Sequence, residues 1–334
     1  MSFQSILGQD KPLGILKNSF KNNNLAHAYL FMGPDGVGKK LTATRMAKSL
    51  NCLVKKTLDN CETCNSCRRI EIGIHPDVFL IEPEKSSSNS KEGFIKIAAI
   101  RELQKNLNFK PYEGKNKIAI INDAECLNPQ AANALLKTLE EPPSATVIIL
   151  ITSKAYQLIP TVISRCQGVK FGPLTKETLR QIVSRRKNID AKEVDFRVGR
   201  ASGRAWLALD DSLLKNIPIR NELIELFDVL SFDRSEQIFK WSKTWAKQPE
   251  RLNDMLDELS LVLRDLSVLK SSGNFNYSVN QDLMFEMNKL AKKKPLSAWL
   301  KIFQTVNETR LALKTNQNTQ LALEMMLIRF CETL

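Results

Sequence analysis

Gly33-Pro34-Asp35-Gly36-Val37-Gly38-Lys39-Lys40 satisfies the phosphate-binding pattern G-x-x-x-x-G-K-[ST] at every position but the last. Upstream, the apolar run Ala28-Tyr29-Leu30-Phe31-Met32 reads as a buried strand; downstream, Leu41, Ala43, Met46, Ala47 and Leu50 recur at helical spacing. Strand, glycine loop and helix are the context in which such a loop works. Its glycines let backbone N–H groups wrap an anion, the helix N-terminus adds its dipole, and Lys39 would reach the β and γ phosphates. The eighth position should give a hydroxyl to Mg²⁺, but Lys40 carries no oxygen and brings a second ammonium instead. The loop is therefore expected to hold phosphate without supporting hydrolysis. The competing reading is a glycine turn with no ligand.

A chain of 334 residues, 43% hydrophobic and 25% charged, has material for two or three globular domains. The start lacks the pattern of a signal peptide, and no apolar run reaches the length of a membrane span, so a cytoplasmic location is expected. The net charge of +13 is spread over both halves rather than gathered in one basic tail. It suits phosphate contacts, and equally a solvated surface.

Four of the seven cysteines, Cys52, Cys61, Cys64 and Cys67, form C-x₈-C-x₂-C-x₂-C. Short steps of this kind let thiolates converge on one tetrahedral ion, and four sulfurs make a closed structural site that zinc suits best. A redox-sensitive loop or an iron–sulfur cluster are the other readings. His75 is a substitute ligand by composition, but its distance from Cys67 and the following Pro76 favour a turn histidine.

Val78–Ile81, Ile118–Ile121 and Thr146–Thr152 are further apolar strands, separated by helical patterns at Ile97, Ile100, Leu103 and Leu107 and over Ala131–Glu141. Between the second and third strands, Lys85 to Gly93 has the serine-rich composition of a surface loop. Asn122-Asp123-Ala124-Glu125 follows the third strand. In phosphate-loop ATPases an acidic residue there orders Mg²⁺ and a neighbouring carboxylate handles the attacking water. Asn122 fills the first position without a charge, and Asp123 fills the second or merely caps the next helix. Two metal-handling positions, Lys40 and Asn122, are thus altered together. Pro142-Pro143 stops the helix before the fourth strand. Strands alternating with helices predict an α/β core with a parallel sheet.

From Leu174 the chain reads as short helices around Gly199, Gly203 and Arg204, and from Leu213 onward as helix throughout. Trp241 and Trp245 are expected to pack rather than to form a stacking platform.

These signals together resemble the delta-prime subunit family of the bacterial DNA polymerase III clamp loader, in the AAA+ class. The resemblance rests on Leu25-Ala26-His27-Ala28-Tyr29-Leu30-Phe31, the four-cysteine insert, the stretch from Ala131 to Pro143, and Ser164-Arg165-Cys166. It spans most of residues 1 to 170. It implies an AAA+ P-loop ATPase-like core over 1–171 with a zinc module at 52–67, a small helical lid over 172–212 and an all-α collar over 213–334. It also implies a role in loading the sliding clamp on primed DNA, alongside gamma/tau motor and delta subunits. By resemblance, Arg165 would act as an arginine finger in a neighbour's ATP site, and Thr152 and Arg204 would occupy the core-strand sensor and lid-arginine positions. Gly33, Gly36, Gly38 and Lys39 are intact, so binding of ATP or ADP stays open while Lys40 and Asn122 argue against turnover. Two other readings are an active gamma/tau-like ATPase and a zinc-containing nucleic-acid-binding protein with a vestigial ATPase core.

Overall fold

The computed structural model describes residues 3–54, 59–84, 93–186, 189–230, 235–314 and 318–333. The serine-rich segment 85–93 lies outside them apart from Gly93. The chain divides into two compact units, Met1–Ile182 with Gly203–Trp206, and Val183–Ser202 with Leu207–Leu334.

The first unit is built on five parallel strands, β1 (Ala28–Met32), β2 (Val78–Ile81), β3 (Lys117–Ile121), β4 (Thr146–Thr152) and β5 (Gln167–Lys170), in the order β2-β3-β4-β1-β5. Strands buried on both faces need not alternate apolar with polar residues, and β4 is buried at all seven positions. Alternate side chains still go to opposite faces. Tyr29, Phe31, Ile118, Ile120, Ile149 and Ile151 pack in one cluster with Leu16 of α1 (Asp10–Lys21) and Met46 of α2 (Lys39–Asn51). α3 (Asn65–Glu71) adds Ile70 to that side. Leu30, Ala119, Ile121, Ile148 and Leu150 pack in the other cluster. There they meet Ile100 of α4 (Ile97–Leu107), Leu135 of α5 (Pro129–Glu140) and Val162 of α6 (Pro160–Ile163). Three layers result, helices on both faces of a parallel sheet. The edge strand β5 has a single buried residue, Val169, so no apolar run announces it in the sequence.

Asn128 caps α5 by accepting from the Ala131 amide at 2.7 Å, with Pro129 at the first helical position.

α7 (Lys176–Val183), α8 (Ala191–Ala201) and α9 (Ala205–Leu209) follow the sheet. The second unit is a helical bundle of α10 (Ile217–Val229), α11 (Ser235–Ala246), α12 (Pro249–Ser272), α13 (Met284–Lys293), α14 (Leu296–Lys314) and α15 (Thr319–Thr333). Leu256, Leu259, Leu263 and Leu266 of α12 are essentially buried at its centre, with Trp299 of α14 and Phe330 of α15. Trp245 is buried in the same core and Trp241 packs against it, the structural role expected of both. Among the described residues no helix is long and apolar enough to cross a membrane.

Candidate nucleotide and metal sites

The glycine loop lies at the C-terminal end of β1, between β4 and β5, where ligands of open parallel sheets bind. Gly33, Gly36 and Gly38 have φ of 146°, 73° and 102°, values that L side chains adopt only with strain. Gly38 stands at the N-cap of α2 and its carbonyl accepts from both the amide and the hydroxyl of Thr42 at 2.9 Å. On the sheet side, Gly33 donates to the Thr152 carbonyl at 3.3 Å. Thr152 is fully buried at the end of β4, in register with Met32, and its hydroxyl accepts from the Lys154 amide at 3.0 Å. The chain also returns to the loop later on. The Trp206 amide donates to the Gly36 carbonyl at 3.1 Å, and a Cβ placed on Gly36 would stand 2.9 Å from Trp206 Cβ and 3.5 Å from Arg204 Cβ. Arg204 is therefore beside the loop.

Lys39 curls over its own loop. Its ammonium donates to the carbonyls of Gly33 at 2.5 Å and Pro34 at 2.7 Å and lies 3.6 Å from Asp35. Burial pulls its pKa down, and Asp35, Glu125 and Asp123 only partly restore it. Lys40 reaches across to the end of β2, where it pairs with Glu82 at 2.8 Å, both side chains about half exposed. Asn122 donates to the same Glu82 carboxylate at 3.3 Å and to Asp123 at 3.0 Å. Two residues that depart from the metal-handling pattern are thus joined through one carboxylate that the sequence reading did not single out.

Asp123 sits at φ 51° before a short 3₁₀ turn and makes no side-chain capping bond, so capping does not explain it. Its pKa is raised, chiefly by burial and then by Glu125, Asp35 and Glu82. Glu125, also missed from the sequence, accepts from Ser153 through its amide at 3.2 Å and hydroxyl at 2.8 Å. Its pKa is lowered: burial pushes it up, but the hydrogen bonds to Glu125's own backbone, Thr152 and Ser153 outweigh that. Both missed acids lie just past the ends of apolar strands, where ligands of parallel sheets gather, and that position was the available signal. Phosphate suits the loop. Mg²⁺ does not suit Lys40 and Asn122, which supply an ammonium and a neutral amide where a hydroxyl and a carboxylate are needed.

Arg165 is elsewhere in the first unit. Its guanidinium pairs with Glu140 at 2.6 Å and donates to the Thr161 carbonyl at 2.9 Å, and its side chain is one third exposed.

The four cysteines converge. The sulfurs of Cys52, Cys61, Cys64 and Cys67 all lie within 4.8 Å of one another, while about 3.8 Å separates thiolates held tetrahedrally about 2.3 Å from zinc. The four sulfurs are close enough together to share one ion. Successive amides aim at the sulfurs: Cys61 donates to Cys52 at 3.4 Å, Cys64 to Cys61 at 3.3 Å, and Cys67 to Cys64 at 3.5 Å. The Cys64 amide is the main reason that the Cys61 thiol is pulled down to about 6, whereas burial pushes Cys67 up. The module is fastened to α2 by Glu62, which pairs with Arg45 and, at 2.7 Å, with the buried Lys48. His75 is not part of the cluster. Its Nδ1 accepts from the Asp77 amide at 3.1 Å and its Nε2 lies 3.1 Å from the Ser66 hydroxyl, which makes it the turn histidine expected.

A family model described as DNA polymerase III, delta subunit, matches residues 8–175, and one for the C-terminal part of that subunit matches 215–332. The delta-prime subunit of DNA polymerase III from Bacillus subtilis is 31% identical over 329 residues, covering 97% of this chain and 96% of that protein. The chain belongs to the DNA polymerase III delta-prime family. Its Bacillus subtilis tau relative is 27% identical over 359 residues and is spanned over 62% of its length. A solved gamma-subunit-related protein from Thermotoga maritima aligns with 96% of this chain and 99% of its own at 20% identity and a TM-score of 0.43. The four-cysteine cluster of this chain is a group able to hold a metal, and its core is a five-stranded parallel sheet flanked by helices.

Proposed function

We propose that the chain is a stationary subunit of a clamp-loading ATPase. It would complete a neighbouring motor subunit's ATP site with Arg165 while turning over little or no ATP itself. The observation that carries this reading is the Glu82 carboxylate, which pairs with Lys40 and accepts from Asn122. The eighth residue of the loop is engaged in an ion pair where a motor would offer its hydroxyl to Mg²⁺. Gly33, Gly36, Gly38 and Lys39 retain the shape for ATP or ADP, with Thr152 and Arg204 adjacent; Asp123 and Glu125 are the remaining carboxylates.

In a neighbour's site Arg165 would lay a planar, permanently charged fork against the oxygens of the γ-phosphoryl group, where charge accumulates in the transition state. Loss of such a group costs ~10³-fold or more in turnover. The division into core 1–171, lid 172–212 and collar 213–334 belongs to this proposal, as do gamma/tau and delta partners, indirect action on the sliding clamp, contact with primed DNA through phosphates, and a cytoplasmic location. Zinc is the metal proposed for Cys52, Cys61, Cys64 and Cys67, because four thiolates at this spacing make a closed tetrahedral set. It would supply structure rather than chemistry.

The test is turnover by the purified chain with Mg²⁺, and by the reconstituted loader with and without Arg165→Ala. Little hydrolysis by the chain alone and a large loss in the complex are expected. Brisk hydrolysis by the chain alone, or an unaffected complex, refutes the reading. For zinc, reduced protein should contain about one equivalent per chain by elemental analysis, and protein with none rules it out.

A further inference from the structure

Arg165 does not hang free in solution. Its Nη2 pairs with Glu140 Oε1 at 2.6 Å and its Nη1 donates to the Thr161 carbonyl at 2.9 Å, with the Ser164 hydroxyl 3.5 Å away. Glu140 is the last residue of α5, and Thr161 belongs to the single-turn helix α6. The guanidinium is therefore fixed at two points on two different elements. A guanidinium has five N–H donors. These three contacts occupy three of them and leave two for a ligand.

Glu140 is badly placed for its own helix. A carboxylate at a helix C-terminus faces the negative end of the dipole, and Glu141 follows at the C-cap. Its side chain is also about half exposed, so packing does not require it. A residue that conflicts with local preference while making one short charged contact points to a task at that contact.

We propose that Glu140 is a positioning residue for Arg165. It holds the arginine extended from the α5–α6 edge with its remaining donors directed as a unit, so that a neighbour's nucleotide meets an ordered fork rather than a flexible side chain. This rests on the reading of Arg165 as a group acting in trans. Arginine loses much rotamer freedom when it is ordered, and fixing it beforehand removes that cost from the step in which the phosphoryl group transfers. A shift of about 1 Å in such a group can cost up to ~10²-fold in rate.

The decisive experiment compares Glu140→Ala, Glu140→Asp and Arg165→Ala in the reconstituted clamp loader. Readouts are kcat and KM for ATP, assembly by size-exclusion chromatography, and the melting temperature of the chain. Glu140→Ala should lower kcat roughly 10-fold to 100-fold with KM for ATP unchanged, because the neighbour's own loop binds the nucleotide. Glu140→Asp keeps the charge one methylene shorter and should recover part of that loss. The melting temperature should stay the same or rise slightly, since the substitution to Ala relieves the helix dipole. A purely structural role predicts the opposite pattern, with stability or assembly lost together with rate. Normal kcat in Glu140→Ala, beside a defective Arg165→Ala, overturns the positioning role and leaves the trans-acting arginine standing. Normal kcat in Arg165→Ala removes both.

Discussion

Replacing Gly33 by Ala separates two reasons for a glycine in the phosphate loop: room for a ligand and room for the sheet. A Cβ on Gly33 would overlap the Phe171 carbonyl oxygen and stand 3.0 Å from the carbonyl carbon and 3.1 Å from the Phe171 Cβ. Most of those contacts are backbone, which cannot turn aside. The φ of 146° adds strain for an L residue, on the order of 1–3 kcal/mol. Relief would require the end of β1 to shift within the sheet, loosening the bond from Phe171 N, just past β5, to Met32 O at 2.7 Å and that from Gly33 N to Thr152 O of β4 at 3.3 Å. Each is worth about 1 kcal/mol. The expected total is roughly 3–5 kcal/mol, a large part of the 5–15 kcal/mol that stabilises a typical domain. At Gly38, φ is 102° but a Cβ meets nothing within 4 Å, so only backbone strain of about 1–3 kcal/mol applies. The assay is amide hydrogen exchange on peptides spanning 28–33 and 167–171, which reads the first unit separately from the helical bundle. Gly33→Ala should lose markedly more protection than Gly38→Ala in nucleotide-free protein. Equal protection in the two variants would refute the packing account and return Gly33 to the ligand.

Cys64→Ser should abolish metal binding, measured by elemental analysis, and also remove the sulfur that accepts from the Cys67 amide. Glu62→Ala strips the main partner from Arg45 and Lys48, with Glu71 still 2.5 Å from Lys48 and 3.5 Å from Arg45, and should cost about 2–3 kcal/mol in a urea titration while metal stays bound. Asp77 accepts from the amides of Tyr112, Glu113 and Gly114 at 2.7, 2.9 and 2.7 Å. Burial pushes its pKa up, but those amides together hold it below its ordinary value. A depressed carboxylate stabilises the fold fully above its unfolded pKa of about 3.9, and this contribution disappears as pH falls through the lower folded value. Asp77→Asn should therefore lose roughly 2–3 kcal/mol at neutral pH and flatten the acid limb of a stability–pH curve; an unchanged limb counts against this assignment. Lys40→Thr with Asn122→Asp restores an oxygen and a charge at the two altered positions, and should give the isolated chain nucleotide affinity that rises with Mg²⁺ in calorimetry.

Local chemistry in the sequence was enough for the strands β1 to β4, the loop, the cysteine cluster and the helix ahead of Pro142, because each is written in contiguous residues of strong pattern. Trp245 and the leucines of α12 were legible as core from spacing alone. β5 was not, since an edge strand with one buried residue carries no periodic signal and is defined by its hydrogen bonds to β1. Glu82 and Glu125 were given no role for a related reason. Each is an ordinary acidic residue in sequence and gains a role only because parallel strands deliver their C-terminal ends to one edge. Lys40 was correctly seen as the anomalous residue of Gly33–Lys40, yet its ion pair with Glu82 spans 42 positions and depends on β2 and β1 being in the same sheet. The same holds for Arg165 and Glu140. The sequence by itself determined that both residues exist, in two separate recognisable stretches, whereas tertiary structure decided that one holds the other, because ion pairs follow distance in space and not along the chain.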